Sequence, residues 1–234
     1  MIYVTSDLHG YPVDQFEKML KRAGFGKDDF LFVLGDVIDR GKYGAELLLW
    51  LTQQSNVQLI LGNHEAMLLS CRFAFEEVNA QSLARLNMEK IRMLQNWMMN
   101  GAQPTLDGLK RILKEDPEVL EGIVEYLQDA PLYERVQAGG HHFVLVHAGL
   151  ENFRPDRPME DYSPDELLWC RPEPDTDYGS GATVVFGHTP TEFYGEQYRG
   201  KAVRTRSWIC IDTGAAMGNS PMLLRLDDGK EFYA

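Results

Sequence analysis

Phe30-Leu31-Phe32-Val33-Leu34-Gly35-Asp36-Val37-Ile38-Asp39-Arg40-Gly41 changes character within one residue. Five apolar side chains run unbroken, and two acids and an arginine then follow between glycines. A short apolar run bounded by a turn signal reads as a strand buried on both faces. The charged loop behind it is an unusual one for solvent alone to explain. Outward in both directions the pattern alternates. Ile2-Tyr3-Val4 is followed by apolar positions of helical period at Val13, Phe16, Leu20 and Ala23. Ala45, Leu48, Leu49 and Leu51 have the same period and lead into Val57-Gln58-Leu59-Ile60-Leu61. This is a β-α-β-α-β order, which implies right-handed crossovers and parallel strands whose carboxyl ends open onto a ligand crevice. A fourth run, Phe143-Val144-Leu145-Val146, completes a set read as neighbouring strands of one buried sheet.

Five short motifs rich in metal-binding or phosphate-binding residue types stand in order. They are Asp7-Leu8-His9, Gly35 to Gly41, Gly62-Asn63-His64-Glu65, His147-Ala148-Gly149 and Gly187-His188-Thr189. Alone, Asp-Leu-His is also the composition of a surface turn, Asn63 and Glu65 could begin a helix, and a single histidine is often a core residue. Four of the six histidines nevertheless fall in these motifs. The others, His141-His142, read as the opening of a strand after Gly139-Gly140. Gly10, Gly35, Gly41 and Gly62 flank the polar residues, where a missing Cβ lets backbone approach an ion or phosphate.

The order and residue types resemble the phosphoprotein phosphatase branch of the calcineurin-like metallophosphoesterases, from near the first residue to Asp212-Thr213-Gly214-Ala215. Ser6 stands where that branch commonly has glycine. The absence of long extensions resembles the compact bacterial and phage-type serine/threonine protein phosphatases, so regulatory-subunit docking is not carried over. The resemblance implies an α/β fold in which a two-sheet β-sandwich is flanked by helices. It implies two divalent ions, manganese first, with iron or zinc also compatible with Asp, Asn and His ligands. Asp7 and His9 would hold one ion, Asp36 would bridge, and Asn63, His147 and His188 would complete the ligands of the second ion. A metal-bridging hydroxide would attack phosphorus in line, without a phosphoenzyme. Arg40 and Arg171, the latter in Trp169-Cys170-Arg171, would clamp the phosphoryl oxygens. His64 would protonate the leaving alkoxide, oriented by Asp39. Asp212 reads either as a partner of a metal-bound histidine or as a turn cap.

The remaining sequence sets limits. The 234 residues, 44% hydrophobic, are enough for one domain spanning 1–234. No apolar stretch is long enough to span a bilayer, and Met1-Ile2-Tyr3-Val4-Thr5 enters a strand without a cationic leader, so a soluble, cytoplasmic protein is expected. The formal charge of −12 disfavours nucleic-acid and membrane partners. Cys71, Cys170 and Cys210 are too few and scattered for a disulfide framework. Residues 65–130 read as a helical insert. Within it, Asn96-Trp97-Met98-Met99-Asn100-Gly101 resembles a stretch in bacterial and phage-type members and is expected to border the cleft. Pro104 and Pro117 read as helix starts. Trp208 to Ile211 and Met222 to Leu226 read as antiparallel partners in a second sheet. The substrate expected is a phosphoserine or phosphothreonine in a phosphoprotein or phosphopeptide, with symmetrical dinucleoside tetraphosphates (a dinucleoside polyphosphate substrate) as the alternative. A non-catalytic metal-binding adaptor would have damaged the acid or the clamp, and His64, Asp39, Arg40 and Arg171 are all intact.

Overall fold

Alternation of burial fixes the layers in a computed structural model that describes residues 1–179 and 181–234. Along Leu31, Phe32, Val33 and Leu34, odd positions pack into one core and even positions into another, as a strand covered on both faces must. The first sheet contains β1 (Ile2–Thr5), β2 (Phe30–Val33), β3 (Val57–Leu59), β9 (Met222–Arg225) and β10 (Lys230–Tyr233) in the order β10-β9-β1-β2-β3. β1, β2 and β3 are parallel, in the expected β-α-β-α-β order, while β9 and β10 are antiparallel additions. The second sheet contains β4 (Tyr133–Ala138), β5 (His141–Val146), β6 (Thr183–Phe186), β7 (Val203–Arg204) and β8 (Trp208–Cys210) in the order β4-β5-β6-β8-β7. Here β5, β6 and β8 are parallel.

Val4, Phe32, Leu34, Ile60, Leu145, Val185, Ile209 and Leu224 fill the space between the sheets. Helices α1 (Val13–Ala23) and α2 (Gly44–Thr52) cover the outer face of the first sheet. The insert supplies α3 (Asn63–Ser70), α4 (Ala80–Ala84), α5 (Met88–Met99), α6 (Gln103–Glu115) and α7 (Pro117–Gln128). Pro104 lies in the first turn of α6, and Pro117 follows the Asp116 cap, whose side chain accepts the Glu118 N–H. Beyond β5 the chain runs through loops and α8 (Pro164–Leu168) across the outer face of the second sheet. The chain therefore has the expected helix-flanked pair of sheets.

Two sequence expectations about strand partners are corrected. The run Phe143–Val146 lies in the second sheet, not beside β1, β2 and β3. The runs from Trp208 and Met222 do not pair with each other: β8 joins β6, and β9 crosses to pair with β1. An apolar strand buried on both faces looks the same in either sheet, so periodicity does not choose its neighbour. No helix among the described residues is long and apolar enough to cross a membrane.

The intersheet core makes a direct prediction. Leu224, fully buried there, should cost roughly 2–5 kcal/mol when truncated in Leu224→Ala. Val78→Ala, at an exposed position, should change stability by less than about 0.5 kcal/mol. Urea unfolding of both variants tests the difference; equal effects would contradict the assigned core.

Candidate active site

Each parallel strand leads at its carboxyl end into at least one polar residue of the site. Asp7 follows β1, Asp36 follows β2 and Asn63 follows β3, while His147, His188 and Asp212 follow β5, β6 and β8. The carboxyl ends of both sheets thus meet at one edge, and all six residues are at least nine-tenths buried. The turns are tight. Asp7, His9, Asp36, Asp39, Arg40 and His188 all have φ between 41° and 68°, a region costly for side chains with a Cβ, and such strain concentrates where surrounding contacts hold a functional geometry. At Gly62 the loops touch so closely that a Cβ would collide with the Asp36 amide and carboxylate and with Glu65.

The histidines settle their own tautomers. His147 Nδ1 donates to Leu34 O at 2.7 Å, which turns the Nε2 lone pair toward Asn63 Oδ1 at 2.9 Å, His188 Nδ1 at 3.2 Å and Asp36 Oδ1 at 3.5 Å. His9 Nδ1 donates to Ile38 O at 2.9 Å, leaving Nε2 3.8 Å from Asp36 Oδ2. Nitrogen and oxygen atoms able to ligate therefore converge on Asp36. Such a set could hold a cation, and its mixed carboxylate, amide and imidazole donors suit a divalent transition ion. Two overlapping groups, Asp36-His147-His188 and His9-Asp36-His64, hold their ligand atoms within 4.8 Å of one another. Asp7 stands beside these groups, its Oδ2 accepting the His188 N–H at 2.9 Å.

Charge tells the same story. Burial holds the His9 imidazole at a pKa of about 3 and that of His188 at about 2, and also lowers that of His147. These rings are neutral and ready to ligate. Burial, with Asp212 and Asp36 nearby, pushes Asp7 well above the carboxylate range. Burial and the Asp36 charge likewise raise Glu65 to about 7, and Asp212 rises to about 7 chiefly through burial. Asp36 is held low despite its burial because His147, His64, His9 and His188 surround it.

His64 belongs to a different arrangement. Its Nδ1 donates to Asp39 Oδ2 at 2.6 Å, and its Nε2 lies 3.2 Å from Arg40 Nη2. Burial lowers its basicity, but Asp36 and Asp39 prevail and hold its pKa above the ordinary histidine value. A nitrogen facing a guanidinium is poorly placed to ligate a cation. Arg40 and Arg171 are both exposed at the rim, and Arg171 Nη1 donates to His188 O at 3.2 Å and Thr189 Oγ1 at 3.4 Å.

All ten expected site residues thus gather at one edge. Two further features were not read in the sequence, and a third settles between two readings. Glu65, assigned only to a helix start, accepts from the Asp36, Val37 and Ile38 N–H groups at 2.8, 2.9 and 3.4 Å and so shapes the Asp36 loop. Trp97 Nε1 and Thr105 Oγ1 donate to Asp39 at 2.8 and 2.6 Å; the expected closeness of the Trp97 stretch to the cleft was the available signal. Asp212 Oδ1 accepts the Gly214 N–H at 2.9 Å, which is the turn-cap alternative.

Comparison with known proteins accords with this geometry. The family model for calcineurin-like phosphoesterases matches residues 1–216. The chain belongs to that family. It is 29% identical over 151 residues to a symmetrical bis(5'-nucleosyl)-tetraphosphatase of Acidovorax sp., covering 64% of this chain and 44% of that protein. The chain thus aligns with under half the length of the tetraphosphatases it matches first. It is 28% identical to serine/threonine-protein phosphatase 1 of Salmonella typhimurium, covering 96% of this chain and 91% of that protein. A crystal structure of a candidate diadenosine tetraphosphatase superposes with a TM-score of 0.63 at 18% identity, covering all of this chain and 92% of the other.

The raised carboxyls imply a proton balance. Asp212 and Glu65 are partly protonated below pH 7, whereas the low histidines carry no proton to lose, so cation binding should expel protons from carboxyls. Manganese titrated into metal-free protein at pH 6.5 should release protons, and affinity should rise from pH 6 to pH 8. Calorimetry in buffers of different ionisation enthalpy measures the release; none at pH 6.5 would contradict the assigned electrostatics.

Proposed function

We propose that this metallophosphoesterase hydrolyses phosphomonoesters, in particular phosphoserine and phosphothreonine in proteins. Two divalent ions, with manganese proposed first, would be held by Asp7, His9, Asp36, Asn63, His147 and His188 and supply positive charge for the phosphoryl oxygens and a water ionised near neutral pH. The chain's own groups do the rest. Arg40 and Arg171 present guanidinium groups at the rim, where they bind and orient the phosphoryl oxygens. His64, held through Nδ1 by Asp39, gives its Nε2 proton to the departing oxygen.

The His64–Asp39 contact at 2.6 Å carries this reading. A serine or threonine alkoxide is a poor leaving group and needs a proton, whereas a nucleoside diphosphate leaves as a weakly basic phosphate and gains far less from an acid. The end-to-end similarity to the Salmonella protein phosphatase supports it as well. So do three cations of the insert. Arg72 pairs with Glu121 and Arg85 with Glu76, and Lys90 lies over the Phe73 ring, an arrangement that does not track a polyphosphate chain. The second reading, cleavage of symmetrical dinucleoside tetraphosphates, is favoured by the Acidovorax relative's name.

Metal-stripped protein reconstituted with manganese, assayed on a phosphothreonine peptide and on diadenosine tetraphosphate, separates the two. Phosphate from the peptide supports the proposal, and ADP from the dinucleotide alone overturns it in favour of the second reading. His64→Ala should lose roughly 10²–10⁴-fold on an alkyl phosphate and much less on p-nitrophenyl phosphate. Equal losses on both would remove the acid role. Asp36→Asn should lower bound manganese itself, since a neutral amide bridges cations poorly; full occupancy by elemental analysis would remove Asp36 from the bridge.

A further inference from the structure

Asp39 is fully buried, and every contact that aims it at His64 comes from the helical insert. Oδ2 receives His64 Nδ1–H at 2.6 Å and the Trp97 indole N–H at 2.8 Å. Oδ1 receives the Thr105 hydroxyl at 2.6 Å, and the same Thr105 oxygen accepts the Asp39 backbone N–H at 2.8 Å. Thr105 thus closes a ring onto both ends of one residue, which fixes χ1 and the carboxylate plane together. Trp97 lies in α5 and Thr105 in the first turn of α6. Both are fully buried. Between them Gly101 O accepts the Arg40 N–H at 2.9 Å, so the α5–α6 corner also holds the arginine that follows Asp39.

We infer that Thr105 and Trp97 are positioning residues for proton transfer, through which the helical insert sets the geometry of the His64–Asp39 pair. They touch neither substrate nor the convergent ligand atoms; they act through Asp39, which has φ of 68° and would relax without them. A carboxylate held by two other donors presents its lone pair to His64 in one direction only, which a carboxylate free to rotate does not. The inference rests on the acid role of His64 proposed above.

The test compares Thr105→Val, nearly isosteric but without the hydroxyl, with Thr105→Ser, which keeps it. In the manganese-loaded enzyme, Thr105→Val should lower kcat on an alkyl phosphate about 10- to 100-fold and on p-nitrophenyl phosphate less than about 3-fold. Thr105→Ser should stay within about 3-fold of wild type on both, and Trp97→Phe should follow Thr105→Val in direction. A second readout needs neither metal nor turnover: the downfield proton resonance of His64 Nδ1–H in metal-free protein should shift or broaden in Thr105→Val and persist in Thr105→Ser. Equal rate losses on both substrates, failure of serine to restore the alkyl rate, or an unchanged resonance in Thr105→Val would overturn the positioning role. If wild type cleaves neither phosphoester the acid reading itself fails, and the resonance still decides whether Thr105 sets the pair.

Discussion

Lone pairs crowded around one buried carboxylate are the constraint on which the rest of the structure depends. Asp36 meets His147, His9 and His64 while Asn63 Oδ1 lies 2.9 Å from an unprotonated ring nitrogen. Such a cluster costs stability, since burial and neighbouring acids raise the carboxyls of Asp7, Glu65 and Asp212. The chain accepts that cost by spending its best-packed elements to hold the cluster. Parallel strands of both sheets end at the same edge, and the intersheet core of Val4, Phe32, Leu145 and Val185 keeps those ends in register.

Local backbone then turns the strand ends into a site. Left-handed φ values at Asp7, His9, Asp36 and His188 point side chains inward immediately after the strands, where an ordinary turn would carry them out to solvent. Glu65 stabilises one of these turns by accepting three consecutive backbone N–H groups. Gly62 allows the Asp36 and Asn63 loops to lie in contact. The insert contributes differently, gripping Asp39 and Arg40 from outside the sheets through Trp97, Thr105 and Gly101.

Most of this site was legible in the sequence because strand–loop boundaries are local. An apolar run ending at glycine, with Asp, Asn or His just beyond, reveals both the strand and the residue at its mouth. The partner of each strand was not local. β5 and β9 carry the same doubly buried pattern as β1 and β2, and only long-range pairing assigns them to their sheets. Trp97 was legible as part of a helical stretch bordering the cleft but not as a hydrogen-bond donor, because the pattern of residue types reports the indole ring and says nothing about its N–H. Thr105 was hidden for a related reason: a threonine after a helix-starting proline reads as helix, and its buried hydroxyl shows only once the Asp39 loop is placed against it.

The central claim, that the two sheets build one binuclear site around Asp36, is tested most directly by electron paramagnetic resonance of metal-stripped protein loaded with two equivalents of manganese. The account predicts two ions per chain and the multiline spectrum of a spin-coupled pair, collapsing to an isolated-ion spectrum in Asp36→Asn. A single uncoupled ion per chain in the unmutated protein would contradict it.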